Sequence, residues 1–113
     1  MPPSNLDDQD RIAHILAECQ FLQSLLPQLT VEQLQSDGIH FRAVSYSFVI
    51  MGEASHHLSS DFKNSISEIH WKQIYGMRNL LVHRYDDVNI QTLWDSLEFD
   101  VPKLQKLLTT KFD

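Results

Sequence analysis

Only one of the 113 residues is cysteine, three are glycine and four are proline. The lone Cys19 excludes an internal disulfide, and no CxxC or Cys/His pair has the spacing of a zinc clip. The glycines (Gly38, Gly52, Gly76) and prolines (Pro2, Pro3, Pro27, Pro102) are sparse. No segment pairs period-two alternation with the Asn-Gly or Asp-Gly turn of a β-hairpin. Positive charge is scarce as well. Nine Lys and Arg against fifteen Asp and Glu leave a formal charge of −6, which excludes a general nucleic-acid coat, since such binding needs clustered Lys and Arg. The longest apolar-rich stretch, Phe48 to Met51, is far too short to span a bilayer. Met1-Pro2-Pro3-Ser4-Asn5-Leu6-Asp7-Asp8 has neither the basic start nor the apolar stretch of a signal peptide. These absences predict a cytoplasmic protein with no membrane partner. What is present is ordinary globular composition, 42% hydrophobic and 21% charged, at the commonest size for one domain. A single domain over residues 1–113 is expected, small enough to leave much surface open to self-association.

The apolar residues follow a helical period. Ile12, Ile15, Leu16, Cys19, Leu22 and Leu26 recur at spacings of three and four, with Asp7, Asp8 and Asp10 at the end where the helix dipole favours carboxylates. Pro27 marks the end of that helix, because the residue before a proline avoids helical geometry. Leu29 to Gln35 reads as a short helical turn, with Thr30 as N-cap and Gln33 three residues on. Asp37-Gly38 reads as a break. A second helix is expected from Phe41, with Val44, Phe48, Met51, Ser55 and Leu58 on one face and Val49 and Ala54 on another, which makes it the most buried one. Asp61 to Ser65 reads as a polar connection. A third helix begins between Ser67 and Trp71, carries Ile74, Met77 and Leu81, and runs out between His83 and Asp87. Asn89 is a good N-cap for a last helix bearing Leu93, Trp94, Leu97, Val101, Leu104 and Leu108, which Pro102 would kink or divide. The expectation is all-α: an up-and-down bundle of four main helices with a possible short fifth.

The segment Met77 to Tyr85 concentrates chemistry: two arginines, an amide, an imidazole and a phenol lie between Arg78 and Tyr85. At about 100° per residue, Asn79 and His83 stack one turn apart on one face, and Arg78 lies about 100° around from Asn79. Tyr85 joins them only if the chain turns after His83. Arginine offers a planar fork of donors for a phosphate and stays charged. A histidine that titrates near neutral pH takes a proton from a ribose 2′-hydroxyl or gives one to a leaving oxygen. That chemistry is phosphodiester cleavage, and it needs no metal or other cofactor. From spacing alone the blander reading is preferred: His83 as a cation on the helix dipole, Asn79 as a solvated amide, and Arg84 with Asp87 as a surface ion pair.

Taken together these residues resemble the HEPN superfamily, whose signature is an Arg, four to six residues, then a His. More closely, the chain is similar to the HepT branch, whose pattern R-N-x-x-x-H-x-Y is matched by Arg78, Asn79, His83 and Tyr85. The resemblance runs through Asp10 to Ile15, Phe41 to Val44, Met51-Gly52-Glu53-Ala54, Trp71 to Tyr85, and Leu93-Trp94 with Val101 to Leu104. Two positions depart from the family: Arg84 stands where it often has glycine, and Asn89 where it often has aspartate. Arg84 adds a possible RNA contact. The resemblance implies an all-α homodimer whose two motifs face a shared cleft. It implies a toxin ribonuclease, acting on RNA such as tRNA, with Arg78 and His83 catalytic and Asn79 supporting them. It further implies control by a minimal nucleotidyltransferase antitoxin that transfers AMP to the motif tyrosine, here Tyr85. A second reading stays open: a non-catalytic nucleotide-binding module that partners such a nucleotidyltransferase.

Glu53, in the family-like Gly-Glu-Ala, either orients Arg78 or makes a buried structural ion pair. His56 and His57 could face the cleft but are expected in solvent, Trp71 and Trp94 are expected in the core rather than as base-stacking platforms, and Cys19 as an inert core residue. His14, His40 and His70 are given no role. The charge is uneven along the chain. Residues 1–36 carry five acids and one base, whereas residues 37–88 carry six acids and five bases. Doubling Arg78 and Arg84 in a dimer would make a locally positive cleft on an acidic body.

Overall fold

The computed structural model of the chain describes residues 5–112, and among them there is no strand. Seven α-helices are described: α1 (Asn5–Leu25), α2 (Val31–Ser36), α3 (Gly38–His56), α4 (Ser60–Ser65), α5 (Trp71–His83), α6 (Ile90–Asp95) and α7 (Val101–Phe112). The long segments are α1, α3, α5 and the run from α6 to α7, so the four-helix bundle expected from the periodicity is present. No helix among the described residues is long and apolar enough to cross a membrane.

Most boundaries follow local chemistry. Pro27 sits in a 3₁₀ turn, Leu26–Gln28, that ends α1. Thr30 and Gln33 close a reciprocal capping box: the Gln33 N–H donates to Thr30 Oγ1 at 3.1 Å, and the Thr30 N–H donates to Gln33 Oε1 at 3.0 Å. Asn89 caps α6 by accepting from the Thr92 N–H at 3.0 Å.

Three boundaries differ from the expected ones. The second long helix begins at Gly38, not at Phe41, because the Asp37 carboxylate accepts from the Ile39 N–H at 2.9 Å and turns the apparent break into an N-cap. The His40 ring, 2.7 Å from the same carboxylate, holds the Asp37 carboxyl below its ordinary range. The segment expected as a polar connection is the helix α4. Ser59 caps it by accepting from the Phe62 N–H at 3.1 Å, and buried Asp8 holds Ser59, accepting from its N–H at 2.9 Å and its hydroxyl at 2.6 Å. Finally, Pro102 stands just after a π-helical stretch, Ser96–Asp100, in which the Val101 N–H bonds back to Ser96 O. The wider turn separates α6 from α7 at the residues preceding the proline, which has no N–H to give.

Contacts fix the packing directions. Asp8 meets Ser59, Glu18 meets Ser47 and Cys19 meets Met51, so α1 and α3 run antiparallel. Gly52 meets Arg78 and His56 meets Tyr75, so α3 and α5 do too. α7 returns to pack on α1, and α2 bridges α3 and α6. One apolar core runs through the bundle, with Ile15, Cys19, Leu22, Leu34, Val44, Leu93, Leu97 and Leu108 fully enclosed. Trp71 and Trp94 pack against it half-buried, and the Trp71 indole N–H donates to Lys63 O at 3.0 Å, which ties the start of α5 to α4.

Cys19 lies in this core, and burial, reinforced by neighbouring Glu18, pushes its thiol from 9.0 up to about 12. A thiol reagent near neutral pH is expected to find no reactive group in the native protein and one per chain after denaturation. Because the folded protein holds the thiol neutral while the unfolded chain ionises it, stability should fall as pH rises from about 9 toward about 12. Replacing Cys19 with Ser and repeating the alkaline denaturation series checks this: a curve unchanged in slope would show that the thiol does not contribute.

Candidate active site

The geometry begins with a residue that has no side chain. A Cβ added to Gly52 would lie 2.3 Å from Arg78 Cβ and 3.1 Å from Ile74 O, far inside contact distance. Glycine on α3 therefore allows α5 to approach until the Arg78 stem lies against the α3 backbone. That approach places Glu53, the next residue on α3, beside the guanidinium: Glu53 Oε1 is 3.3 Å from Arg78 Nε. The other carboxylate oxygen, Oε2, is 3.2 Å from His57 Nε2. Arg78 NH1 donates to Asn79 Oδ1 at 2.9 Å, whereas the buried Nε faces the Glu53 carboxylate as an ion pair without a hydrogen bond.

The expected alternatives for Glu53 are thus decided in a mixed form. It pairs with Arg78, but its side chain is 48% exposed, against 22% for Arg78. An ion pair so open to water contributes little stability. The carboxylate lies along one edge of the guanidinium, and Asn79 takes a hydrogen bond from NH1.

His83 is the last residue of α5 and is exposed, with no hydrogen bond or ion pair to the described residues. The chain turns immediately after it. Arg84 leaves helical geometry while its N–H bonds to Leu80 O at 2.8 Å, and Tyr85–Asp87 form a 3₁₀ turn. This is the turn Tyr85 needed to leave the helix line, and Tyr85 is 68% exposed within it. Arg84 pairs with Asp87, both exposed, as the blander sequence reading had it. Among the described residues no three His, Cys, Asp or Glu side chains are grouped as a metal cluster.

Of the side chains around Arg78, only Tyr75 was not singled out from the sequence. His56 and His57 are exposed as expected, yet they are not idle: His57 reaches Glu53, and His56 stacks on Tyr75 with ring centroids 4.1 Å apart and planes 11° from parallel. Arg78 Cζ lies 5.7 Å from the centre of the same Tyr75 ring. A signal for Tyr75 existed, since Tyr75, Asn79 and His83 fall at successive spacings of four on one helix.

An apolar groove of about 520 Å³ lies elsewhere. Met77 and Leu80 of α5 line it together with Met51, Leu104 and Leu107, whereas Arg78, Asn79, His83 and Tyr85 do not. At about 100° per residue, Met77 and Leu80 point away from the Tyr75–Asn79–His83 stripe, so the groove and the polar cluster occupy different sides of α5.

The fold is all-α, as in the HEPN superfamily, with Arg78, Asn79 and His83 in the last two turns of its third long helix. The family described as ribonuclease HepT-like matches residues 15–110, and the chain belongs to it. It is 36% identical over 95 residues, covering 84% of this chain and 85% of the relative, to a protein of Caldanaerobacter subterraneus subsp. tengcongensis named "Putative RNase". It is 29% identical over 97 residues, covering 86% and 88%, to the "Probable ribonuclease HepT" of Thermococcus cleftensis. Over a shorter stretch of 64 residues, 57% of this chain and 59% of the relative, it is 38% identical to a "Putative RNase" of Methanocaldococcus jannaschii. No solved structure matches the chain.

Two glycines on facing helices make a sharp comparison. In an open helical position Gly→Ala stabilises by about 1 kcal/mol, and nothing lies within 4 Å of a Cβ at Gly76, so Gly76→Ala should raise the melting temperature. At Gly52 the same helix-forming gain meets overpacking that costs about 1–3 kcal/mol and can be relieved only by moving α5. Gly52→Ala should melt several degrees below the parent, and thermal denaturation of both variants reads the difference directly.

Proposed function

We propose that the protein is the ribonuclease component of a toxin–antitoxin pair, and that it cleaves RNA as a homodimer through Arg78 and His83 without a metal ion. The observation that carries this reading is the end of α5: a guanidinium paired with Glu53 and bonded to Asn79, five residues before an exposed imidazole on the same helix. Membership of the ribonuclease HepT-like family and the names of the relatives support it.

Arg78 binds the scissile phosphate and neutralises charge that builds up on its oxygens. An imidazole of His83 takes the proton from the ribose 2′-hydroxyl as its oxygen attacks phosphorus. The bond to the 5′-oxygen breaks, and a protonated imidazole returns a proton to that leaving group. A homodimer supplies two such histidines, one for each role. Asn79 keeps the guanidinium from swinging away, and Glu53 orients it without touching RNA. Arg84 is a peripheral contact for the RNA backbone once it releases Asp87. Tyr85, exposed on the turn after His83, is the acceptor of AMP from a minimal nucleotidyltransferase antitoxin. The added bulk and negative charge would occupy the approach to Arg78 and repel the RNA phosphate.

Purified protein is expected to cleave single-stranded RNA in EDTA. His83→Ala and Arg78→Ala should each lower the rate by about 100-fold or more, the scale set by a lost acid–base group or a lost charge stabiliser. Equal activity in His83→Ala would overturn the mechanism. Nucleotide binding that depends on Arg78, in a parent with no cleavage, would instead favour a binding module.

Incubation with the partner nucleotidyltransferase and ATP should add the mass of AMP to the intact chain and abolish cleavage. An increment that persists in Tyr85→Phe would remove Tyr85 from the scheme.

A further inference from the structure

The His56–Tyr75 stack is not explained by the fold. Neither ring belongs to the apolar core or to the side chains packed against it. His56 is exposed at the last residue of α3, and Tyr75 stacks on one face of its ring. His57 packs edge-on against it, with centroids 5.5 Å apart and planes at 74°, and is itself tethered by Glu53 at 3.2 Å. The stack is therefore assembled before any ligand arrives. On α5, Tyr75 leads through Asn79 to His83 in steps of four residues, each step turning about 40° and rising about 6 Å. A group seated on the stack thus lies about two helical turns from His83, and Arg78 Cζ is 5.7 Å from the centre of the Tyr75 ring.

Charge gives the stack a purpose. At a formal charge of −6 the chain has few cations with which to hold an RNA backbone. Contact with phosphates alone would give weak binding that salt easily removes. Stacking on an aromatic ring needs no net charge and accepts any base, because every base presents a π-face. It requires an unpaired base, which single strands and loops provide.

We propose that His56 and Tyr75 form a base-stacking platform that seats one unpaired nucleobase of the RNA beside the phosphate held by Arg78. This rests on the ribonuclease reading above and adds to it the substrate's form: single-stranded, and held by a base as well as by a phosphate. His56 is a positioning residue that contacts the substrate away from the reacting atoms.

The test uses the full chain and a fluorescently labelled single-stranded RNA oligomer. Cleavage kinetics and anisotropy binding are measured for the parent, His56→Ala and His56→Phe. His56→Ala should raise KM and weaken binding by about 5- to 100-fold, the range for loss of one base stack, with kcat changed far less. His56→Phe keeps a flat ring and should restore most of the loss, which a proton-transfer role would not allow, and unchanged melting temperatures in both variants exclude a merely structural one. A duplex of the same sequence should bind equally to parent and His56→Ala.

Unchanged KM and binding in His56→Ala overturn the platform, as does a His56→Phe variant no better than the alanine. So does a change of solution mass in His56→Ala, which would make the stack an interface between copies. The two readings separate cleanly. RNA that binds through His56 but is never cut overturns the ribonuclease alone. RNA that is cut with no dependence on His56 overturns the platform alone.

Discussion

The structure turns on the contact between Gly52 of α3 and Arg78 of α5. A charged residue with a long stem can approach a helix closely only where the opposing residue has no Cβ, and here the two backbones close on that one position. The stem of Arg78 is covered while its guanidinium stays within reach of solvent, the usual compromise for arginine at the edge of a core. Everything polar nearby follows from that approach. Glu53 is one residue along α3 and meets the guanidinium, His57 is one turn further and meets Glu53, and His56 lands on Tyr75. Without the close approach these side chains would belong to two separate helix surfaces.

The polar cluster is thus a property of a helix pair. Its stability comes from the apolar side of the same helices, where Phe48, Met51 and Leu81 enter the core. Its exposed ion pairs add little, because water screens them and the side chains lose freedom in making them. This division of labour leaves the guanidinium oriented but not saturated. A buried, fully paired arginine would be a structural element with no donors left to offer. The α5 helix keeps the two tasks on different sides: Met77 and Leu80 face the apolar groove, while Tyr75, Asn79 and His83 form a separate stripe.

Net charge acts on a longer scale. Five of the fifteen acids lie in residues 1–36 with a single base, whereas residues 37–88 are nearly balanced. The acidic surplus sits on α1 and its approach, and one of those acids, Asp8, is not a surface charge at all. It is buried against Ser59, where it fixes the turn between α3 and α4 and so the level at which α3 ends. The end of α5 is itself balanced rather than cationic, since Arg78 faces Glu53 and Arg84 faces Asp87. Repulsion from the acidic body grows as an anion spreads over it.

Much of this was legible in the sequence, and the reason is locality. Apolar residues three and four apart fix a helix and its buried face, so α1, α3, α5 and the last long run were readable, as were the Thr30 and Asn89 caps. The Arg78, Asn79, His83 and Tyr85 pattern was readable because all four lie within eight residues of one helix end. Tertiary structure alone decided the rest. Asp37-Gly38 looks like a break until the carboxylate is seen capping α3, and Asp61 to Ser65 looks like a connection until Asp8, far away in the chain, holds the residue that caps α4. Glu53 had two possible roles on paper, and only the depth of α5 against Gly52 brought it beside Arg78; its contact with His57 is a local one, four residues along α3. Sequence period reports which face of a helix is buried. It carries no information on how near the facing helix comes, because that distance is set by the smallest residue at the crossing.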